Sequence, residues 1–217
     1  MPKETFFNLP DEKRRRIVDV AIDEFAENSY RNVSVSRLVA RADIAKGSFY
    51  QYFEDKRDLY LYLLDLASEE KLAFLQAQEP PDPQMALFAY LRWLYEGGAR
   101  FQFSHPRLAQ VGYRALYTDA PFREELLMRM KNAATAFYRQ LIEQGIERGD
   151  IDPRVDPDMA AFVLGTLLNE FGNYLIEQIG LDPQRLAESG LSAEEYERFG
   201  EQVDAFLYVL EHGIGSD

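Results

Sequence analysis

The chain has 217 residues, of which 47% are hydrophobic and 28% are charged, so it is long enough to bury the core of one large domain or two smaller ones. Its apolar runs are shorter than the roughly 18 to 20 residues that a membrane-spanning helix needs, and its first residues lack the charged-then-apolar pattern of a secretory signal. The sequence contains no cysteine, which excludes disulfides and thiolate ligands. We therefore expect a cytoplasmic globular protein.

The net charge of −13, taken alone, disfavours nucleic acid as a partner, because DNA-binding domains usually carry a basic surface. The charge is unevenly distributed, however. Residues 1–60 contain eleven basic and eleven acidic side chains, whereas residues 61–217 contain thirteen basic and twenty-six acidic ones. The excess negative charge thus lies outside the N-terminal quarter, and a near-neutral segment can still present one basic face to phosphates.

Helical periodicity predicts a first helix that begins between Asn8 and Asp11 and ends near Asn28. Pro10 fits an early helical position, where its missing N–H group costs nothing. The basic run Lys13-Arg14-Arg15-Arg16 falls mostly off the apolar stripe of this helix. It is either a solvated face or a phosphate-binding surface.

Two short amphipathic helices follow the first one and meet at a tight turn. Asp43 occupies the turn position that requires a left-handed backbone conformation. On the second helix, Phe49 and Phe53 lie four residues apart and are predicted to face the core, so we expect Tyr50 and Tyr52 to point away from it. This format is typical of a helix-turn-helix whose second helix enters the major groove of DNA.

Three segments of this region carry a more specific pattern: residues 25–30 (FAENSY), 34–42 (SVSRLVARA) and 46–56 (KGSFYQYFEDK), continuing to Leu59. Together they resemble the Tet-repressor-like (TetR) family of transcriptional regulators. The resemblance implies a DNA-binding head, a helical body with a ligand cavity, and a homodimer that binds a near-palindromic operator. Two residues depart from the family pattern, Asp43 in place of the usual Gly and Ala45 in place of Ser or Thr, so an operator sequence cannot be borrowed from a relative.

The candidate DNA contacts are the outward-facing side chains of the motif. Phosphate contacts are predicted for Ser34, Tyr50, Tyr52 and Lys56. Lys56 stands in the first turn of the next helix, where a cation opposes the helix dipole, and a phosphate contact explains its presence there. Base contacts are predicted for Arg37, Lys46, Ser48 and Gln51, with Ser36 beside them and Gly47 allowing close approach of the backbone. The alternative for the two tyrosines is that they are exposed aromatics that pack on each other.

The rest of the chain also reads as helical. Asp55 is predicted to cap a long helix that ends near Gln78, before a Pro-rich segment. Further helices are predicted over residues 84–97, after Pro106, over 122–148, over 159–179 and from the capping box at Ser192 to about residue 210. The expected fold class is all-α, with about nine helices. We expect two domains, a helix-turn-helix domain at residues 1–58 and an effector-binding and dimerisation domain at residues 59–217.

The last two predicted helices are candidates for a dimer interface. Helix 159–179 is apolar around most of its circumference and carries the small residues Gly165 and Gly172, which would let another helix approach closely. The last helix has an apolar seam with 3-4 spacing. The predicted interface residues are Gly165, Gly172, Phe199, Val203, Phe206 and Leu210.

The body also contains most of the large aromatic side chains, which are either core residues or, as the family resemblance implies, the lining of a ligand cavity. Three polar residues of helix 159–179 could supply polar contacts in such a cavity, or could set the register of the dimer. The candidate ligand-binding residues are Trp93, Phe103, Tyr113, Tyr117, Phe137, Asn169, Glu170 and Asn173. A cavity of this kind favours a small hydrophobic or amphipathic effector.

Catalysis is not expected, because the sequence has only two histidines and no nucleophile–base grouping or Gly-rich phosphate loop. No spacing of His and carboxylate residues suggests a metal site, and no cofactor is expected. The favoured hypothesis is a homodimeric repressor of transcription that an effector releases from double-stranded DNA. The alternatives are a constitutive DNA-binding protein of the same fold and, more weakly, an enzyme or carrier that shares it.

Overall fold

A computed structural model describes residues 1–78, 82, 85–117, 120–180 and 192–213, with all side chains in these ranges except those of Leu116, Tyr117, Asn173, Ile176, Ile179 and Ala193. These residues form ten α-helices and no strand, which confirms the all-α class. The helices are α1 (Glu4–Phe7), α2 (Asp11–Glu27), α3 (Val35–Arg41), α4 (Lys46–Tyr52), α5 (Lys56–Ala77), α6 (Leu87–Ser104), α7 (Pro106–Tyr117), α8 (Arg123–Arg148), α9 (Pro157–Ile179) and α10 (Ala193–His212).

Most helix ends lie where local chemistry predicts them. The carboxylate of Asp55 accepts a hydrogen bond from the backbone N–H of Asp58 at the start of α5 (2.8 Å). The hydroxyl of Ser192 and the carboxylate of Glu195 exchange hydrogen bonds with each other's backbone N–H, which confirms the capping box of α10.

Helix α6 is longer than predicted, because it continues through Gly97 and Gly98 to Ser104. Leu75 packs so closely on Gly97 that a Cβ atom at this position would overlap its Cδ2. Gly97 therefore allows α5 to pack closely on α6, and it does not end the helix.

The chain divides into two compact units, of which unit 1 comprises Met1–Phe74 and His105–Leu126, and unit 2 comprises Leu75–Ser104 and Leu127–Asp217. Helix α7 and the start of α8 thus belong to the same unit as the helix-turn-helix. The predicted division of the chain at residue 58 stays a prediction.

Unit 1 has an aromatic core that joins α7 to the helix-turn-helix. The buried hydroxyl of Tyr60 in α5 donates to the carbonyl oxygen of Val111 in α7 (3.1 Å). Arg114 of α7 donates from Nε to the carbonyl oxygen of Ala26 at the end of α2 (2.7 Å). The largest fully buried core residues of this unit are Phe6, Phe25, Phe49, Phe53, Leu59, Tyr60, Leu63 and Val111.

Unit 2 is a helical bundle formed by α6, the later part of α8, α9 and α10. The rings of Phe171 in α9 and Phe206 in α10 stack with centroids 3.9 Å apart and planes 7° apart. Leu91, Ile142 and Val203 belong to the same core and are almost completely buried. Within the described residues, no helix combines the length and the apolar character that crossing a bilayer requires.

Candidate nucleic-acid interface

The geometry of α3 and α4 is that of the predicted helix-turn-helix. Asp43 has φ 53° and is the one non-glycine residue with positive φ among the described residues, as its place in the turn predicts. Ser34 is the N-cap of α3 with an extended backbone (φ −110°, ψ 126°), and Ala45 is the N-cap of α4. The backbone N–H of Ile44 donates to the carbonyl oxygen of Val39 (3.0 Å) and closes the turn.

Most of the predicted DNA contacts share one exposed surface. Tyr50 is 46% exposed, and Ser48 is half-buried. The ammonium group of Lys46 donates to the hydroxyl of Ser36 (3.3 Å), so one polar side chain from each helix meets at this surface. Gly47 has no heavy atom within 4 Å of the place where a Cβ would lie, so the space beside it is open. Ser34, Arg37 and Gln51 are also exposed.

Tyr52 does not point away from the core as predicted, because its side chain is only 6% exposed. Its ring packs beside that of Phe6 (centroids 6.3 Å apart), which belongs to the unpredicted helix α1. Lys13 of α2 lies over the same ring, with Nζ 5.9 Å from the ring centroid. The prediction for Tyr52 was wrong because it treated α4 as if nothing preceded α2.

Helix α1 also supplies a cap for α4 that the sequence analysis missed. Lys3 donates from its backbone N–H to the carbonyl oxygen of Tyr52 (2.8 Å) and from its ammonium group to that of Tyr50 (2.8 Å). The hydroxyl of Thr5 donates to the carbonyl oxygen of Gln51. These three carbonyls lie in the last turn of α4 and have no hydrogen-bond partner inside the helix. The segment before α2 therefore fixes the C-terminal end of α4, which contains Tyr50 and Tyr52.

Lys56 has partners inside the chain that the prediction did not include. Its ammonium group donates to the carbonyl oxygens of Tyr30 (2.7 Å) and Val33 (2.9 Å). The same group lies 4.4 Å from the centroid of the Tyr30 ring. A phosphate contact is therefore not needed to explain a lysine in the first turn of α5, because this lysine holds the loop that leads to Ser34.

Arg37 likewise has a partner within unit 1. Its Nε donates to Oε2 of Glu24 in α2 (2.5 Å), and Nη1 of Arg41 donates to Oε1 of the same carboxylate (2.7 Å). The hydrogen bond that Arg41 donates to Glu24 raises the pKa of Arg41 above its ordinary value. Glu24 is only 2% exposed. The sequence analysis missed this residue, although a glutamate seven positions after Ile17 falls on the apolar stripe of α2.

The candidate ligand-binding residues are divided between the two units. Trp93 stacks on Tyr90 in α6, with centroids 5.8 Å apart, and Phe103 meets Tyr196 edge to face. Phe137 is 39% exposed. These residues belong to unit 2, whereas the half-buried Tyr113 belongs to unit 1.

The polar candidates of α9 are on its surface. Asn169 and Glu170 are both exposed, and the amide of Asn169 donates to Oε1 of Glu170 (3.2 Å). The side chains of Tyr117 and Asn173 lie outside the described residues. A cleft of about 190 Å³ in unit 2 contains none of the candidates, and its lining residues are Asp82, Met85, Leu87, Tyr90, Leu141, Gln144 and Arg148.

Several residues predicted for the dimer interface pack against other helices of the same chain. Val203 is 1% exposed, and Phe206 stacks on Phe171, so the seam of α10 faces the core of its own unit. Phe199 and Leu210 are partly buried against the same core. A Cβ at Gly165 would lie 3.6 Å from Cδ2 of Tyr138 in α8 of the same chain.

Other apolar side chains of these two helices are exposed. Gly172 has no heavy atom within 4 Å of a Cβ position, so it stays on an open face of α9. We call six exposed residues of the two helices the apolar surface of unit 2: Phe162, Val163, Leu167 and Tyr174 of α9 with Tyr208 and Val209 of α10. Val203 and Phe206 thus lie in the core of their own unit and Gly172 lies on an open face, while the interface at α9 and α10 stays a prediction.

No group of three or more His, Asp or Glu residues suited to a metal ion occurs among the described residues.

Comparison with known proteins agrees with this geometry. Residues 17–63 match the family model described as bacterial regulatory proteins of the tetR family, and residues 85–215 match the tetracyclin repressor-like C-terminal domain. The crystal structure of a TetR family transcriptional regulator from Chloroflexus aurantiacus is 48% identical over 98% of both chains, with a TM-score of 0.72. The HTH-type transcriptional regulator EthR of Mycolicibacterium smegmatis is 30% identical over 188 residues, 81% of each chain.

A more distant structure shares the fold. FadR from Bacillus subtilis, solved in complex with stearoyl-CoA, is 20% identical, with 93% of this chain and 99% of that chain covered and a TM-score of 0.61. An identity this low shows the fold alone. The matched family models cover the helix-turn-helix and most of the remaining chain, and the chain therefore belongs to the TetR family of DNA-binding transcriptional regulators.

Proposed function

We propose that the protein is a transcriptional repressor that binds a near-palindromic operator as a homodimer and is released by a small hydrophobic or amphipathic effector. DNA binding is supported by the exposed polar surface of α3 and α4, where Lys46 donates to Ser36 and the exposed Tyr50 lies one turn further along α4. Side chains of this kind at the second helix of a helix-turn-helix read base edges in the major groove.

The residues of this surface divide by chemistry. Lys46, Ser48 and Gln51 are proposed to contact base edges, since Lys favours guanine and Gln favours adenine. Ser34 and Tyr50 are proposed to hold phosphates and to fix the register on the duplex. We propose supporting roles for Tyr52, Lys56 and Arg37, because each already has partners within unit 1. The open space beside Gly47 lets the backbone approach the groove.

The homodimer is proposed to form through the apolar surface of unit 2. Phe162 and Tyr208, 54% and 62% exposed, are large apolar side chains that a monomer would leave in water. A two-fold axis through this surface would bury the same residues of both copies. It would also present two helix-turn-helix motifs to two half-sites of one operator.

The effector half of the proposal is supported by chemistry and by the fold. Trp93 and Phe137 leave part of their aromatic surface uncovered in unit 2, which suits an apolar ligand. The same fold in FadR of B. subtilis carries stearoyl-CoA, a long amphipathic molecule. An effector can release the protein only if it binds the DNA-free conformation more tightly than the DNA-bound one.

The test of DNA binding is selection from a random duplex pool by the full-length protein, followed by affinity measurements on the selected duplex. We expect Gln51→Ala to lower the affinity for that duplex by about ten-fold or more, because one bidentate base contact contributes about 1–3 kcal/mol. Gln102→Ala, which truncates an exposed glutamine of α6, is the matched control and should leave the affinity unchanged. Equal losses in the two variants would contradict the assignment.

A constitutive DNA-binding protein of the same fold is the second candidate. It is favoured by the observation that the candidate ligand residues do not gather around the 190 Å³ cleft of unit 2. Titration of the protein–duplex complex with fatty acids, acyl-CoA thioesters and aromatic compounds separates the two candidates. Release by any of these favours the effector-controlled repressor, and an affinity unchanged by all of them favours the constitutive protein.

A further inference from the structure

We propose that Glu24 is a positioning residue for sequence-specific DNA binding, because its buried carboxylate holds Arg37 and Arg41 of α3 against α2 and away from phosphates. We call these three residues the Glu24 cluster. The inference rests on the proposed function, since it concerns how unit 1 distinguishes one DNA sequence from another.

The geometry of the Glu24 cluster uses both carboxylate oxygens. The side chain of Glu24 is 3% exposed, with Oε2 2.5 Å from Nε of Arg37 and Oε1 2.7 Å from Nη1 of Arg41. The two arginines are four residues apart in α3 and therefore lie on the same face of that helix, one turn apart. A single carboxylate thus fixes α3 at two points along its length.

The cluster extends through Asp23 to a third helix of the same unit. Asp23 accepts a hydrogen bond from Nη2 of Arg41 (3.2 Å) and pairs through its other oxygen with Arg107 at the start of α7. Arg107 also pairs with Glu27, one turn further along α2 (3.3 Å). Helices α3 and α7 are therefore both anchored to the same turn of α2 by ion pairs.

The burial of the Glu24 carboxylate makes these ion pairs hold α3 in place. A buried carboxylate that loses its cationic partners is strongly unfavourable, so α3 cannot turn away from α2 without exposing or unpairing Glu24. The arginine side chains are still 44% and 37% exposed, close to the surface proposed to meet DNA. Once released, they would be two additional cations for the phosphate backbone, which attracts them whatever the sequence.

Removing the charge of Glu24 should therefore have opposite effects on two kinds of binding. Specific binding should weaken, since the orientation of α3 and α4 is less well fixed. Binding to unrelated DNA should strengthen. A plot of the logarithm of its association constant against the logarithm of the salt concentration should become steeper by about 1 to 2 for two added phosphate contacts. A variant that only weakens the fold would lose both kinds of binding together.

The experiment compares Glu24→Gln with the wild type on the duplex that the wild type selects from a random pool and on a scrambled duplex of equal length. We expect the ratio of the two affinities to fall by about ten-fold or more, with the steeper salt dependence on the scrambled duplex. Asp19→Asn is the matched control, because it removes the same charge from an exposed position of the same helix. It should leave the ratio and the salt slope unchanged. A ratio in Glu24→Gln equal to that of the wild type overturns the inference.

Arg37→Gln keeps the inference testable if Glu24→Gln does not fold, because Arg41 still pairs with Glu24 in that variant. A positioning role predicts that repeating the selection with Arg37→Gln returns the same preferred sequence with a weaker overall preference. Loss of preference confined to one base pair would instead make Arg37 a base-reading residue and overturn the inference. A wild-type protein that enriches no sequence would overturn the proposed function itself, whereas the other contrary outcomes leave that function in place.

Discussion

The ammonium group of Lys56 is 2.7 Å from the carbonyl oxygen of Tyr30 and 4.4 Å from the centroid of the same residue's ring. One side chain at the start of α5 therefore binds both the backbone and the aromatic face of the loop between α2 and α3. With its second hydrogen bond, to the carbonyl of Val33, it fixes the residue that directly precedes the N-cap of α3. The lysine thus has a structural role before any DNA is bound.

Lys56→Met tests this role by removing the ammonium group while retaining the aliphatic chain. We expect the free energy of unfolding to fall by about 1–3 kcal/mol, since hydrogen bonds to a charged donor are lost and two partly buried carbonyls lose their partner. Urea denaturation followed by circular dichroism gives this value. Lys131→Met, at an exposed position of α8, should have almost no effect. Unchanged stability in Lys56→Met would leave a phosphate contact as the explanation for the lysine.

Helix α1 should contribute substantially to the stability of unit 1 although it has only four residues. Phe6 is completely buried, with its ring centroid 4.8 Å from that of Phe53, whereas its neighbour Phe7 is 46% exposed. Phe6→Ala should therefore cost about 3–5 kcal/mol of unfolding free energy. Phe7→Ala should cost much less. Similar losses in the two variants would show that α1 does not pack as described.

Local chemistry predicts much of this structure from the sequence. The left-handed turn at Asp43, the cap at Asp55 and the capping box at Ser192 each depend on residues within a few positions of one another. The exposed polar face of α4 was also predictable, because Phe49 and Tyr50 are adjacent on a helix and must point in different directions.

The wrong and the missing predictions concern residues whose surroundings come from distant segments. Tyr52 is buried by Phe6, which belongs to a helix too short for a periodic pattern to reveal. The 3-4 seam at Val203 shows that α10 packs on other helices, but periodicity does not tell whether they belong to the same chain. The pairing of Glu24 with Arg37 joins residues thirteen positions apart in different helices.

Alkaline pH should destabilise unit 2 through Tyr95. The hydroxyl of Tyr95 donates to the carbonyl oxygen of Leu168 (3.0 Å), and burial raises the pKa of this tyrosine well above its ordinary value, with a smaller contribution from Tyr138. The folded chain therefore retains a proton that the unfolded chain loses. This part of the stability is complete below pH about 10 and falls by about 1.4 kcal/mol per pH unit above it.

Urea unfolding of the wild type and Tyr95→Phe between pH 8 and 11 measures this effect, over a range chosen around the ordinary tyrosine pKa of about 10. The decline above that pKa should be shallower in Tyr95→Phe, because the residue that must ionise on unfolding is absent. Tyr50→Phe is the control at an exposed tyrosine, and it should follow the wild type. Parallel curves for all three proteins would show that Tyr95 does not govern the alkaline limit.

Charged substitutions on the apolar surface of unit 2 test the proposed homodimer. Phe162→Glu and Tyr208→Glu place charges at positions that are 54% and 62% exposed in one chain, so the fold of a single chain should tolerate them. Inside a dimer the same charges would be buried without partners, which costs several kcal/mol. Sedimentation velocity should therefore show dimers for the wild type and monomers for both variants.

Met128→Glu is the control, because Met128 is also 62% exposed but belongs to α8 and lies outside the apolar surface of unit 2. It should remain dimeric. The monomeric variants should also bind the selected duplex much more weakly, since one helix-turn-helix then contacts one half-site without its partner. Dissociation caused by Met128→Glu alone would place the interface on α8, and a wild type that sediments as a monomer would contradict the homodimer.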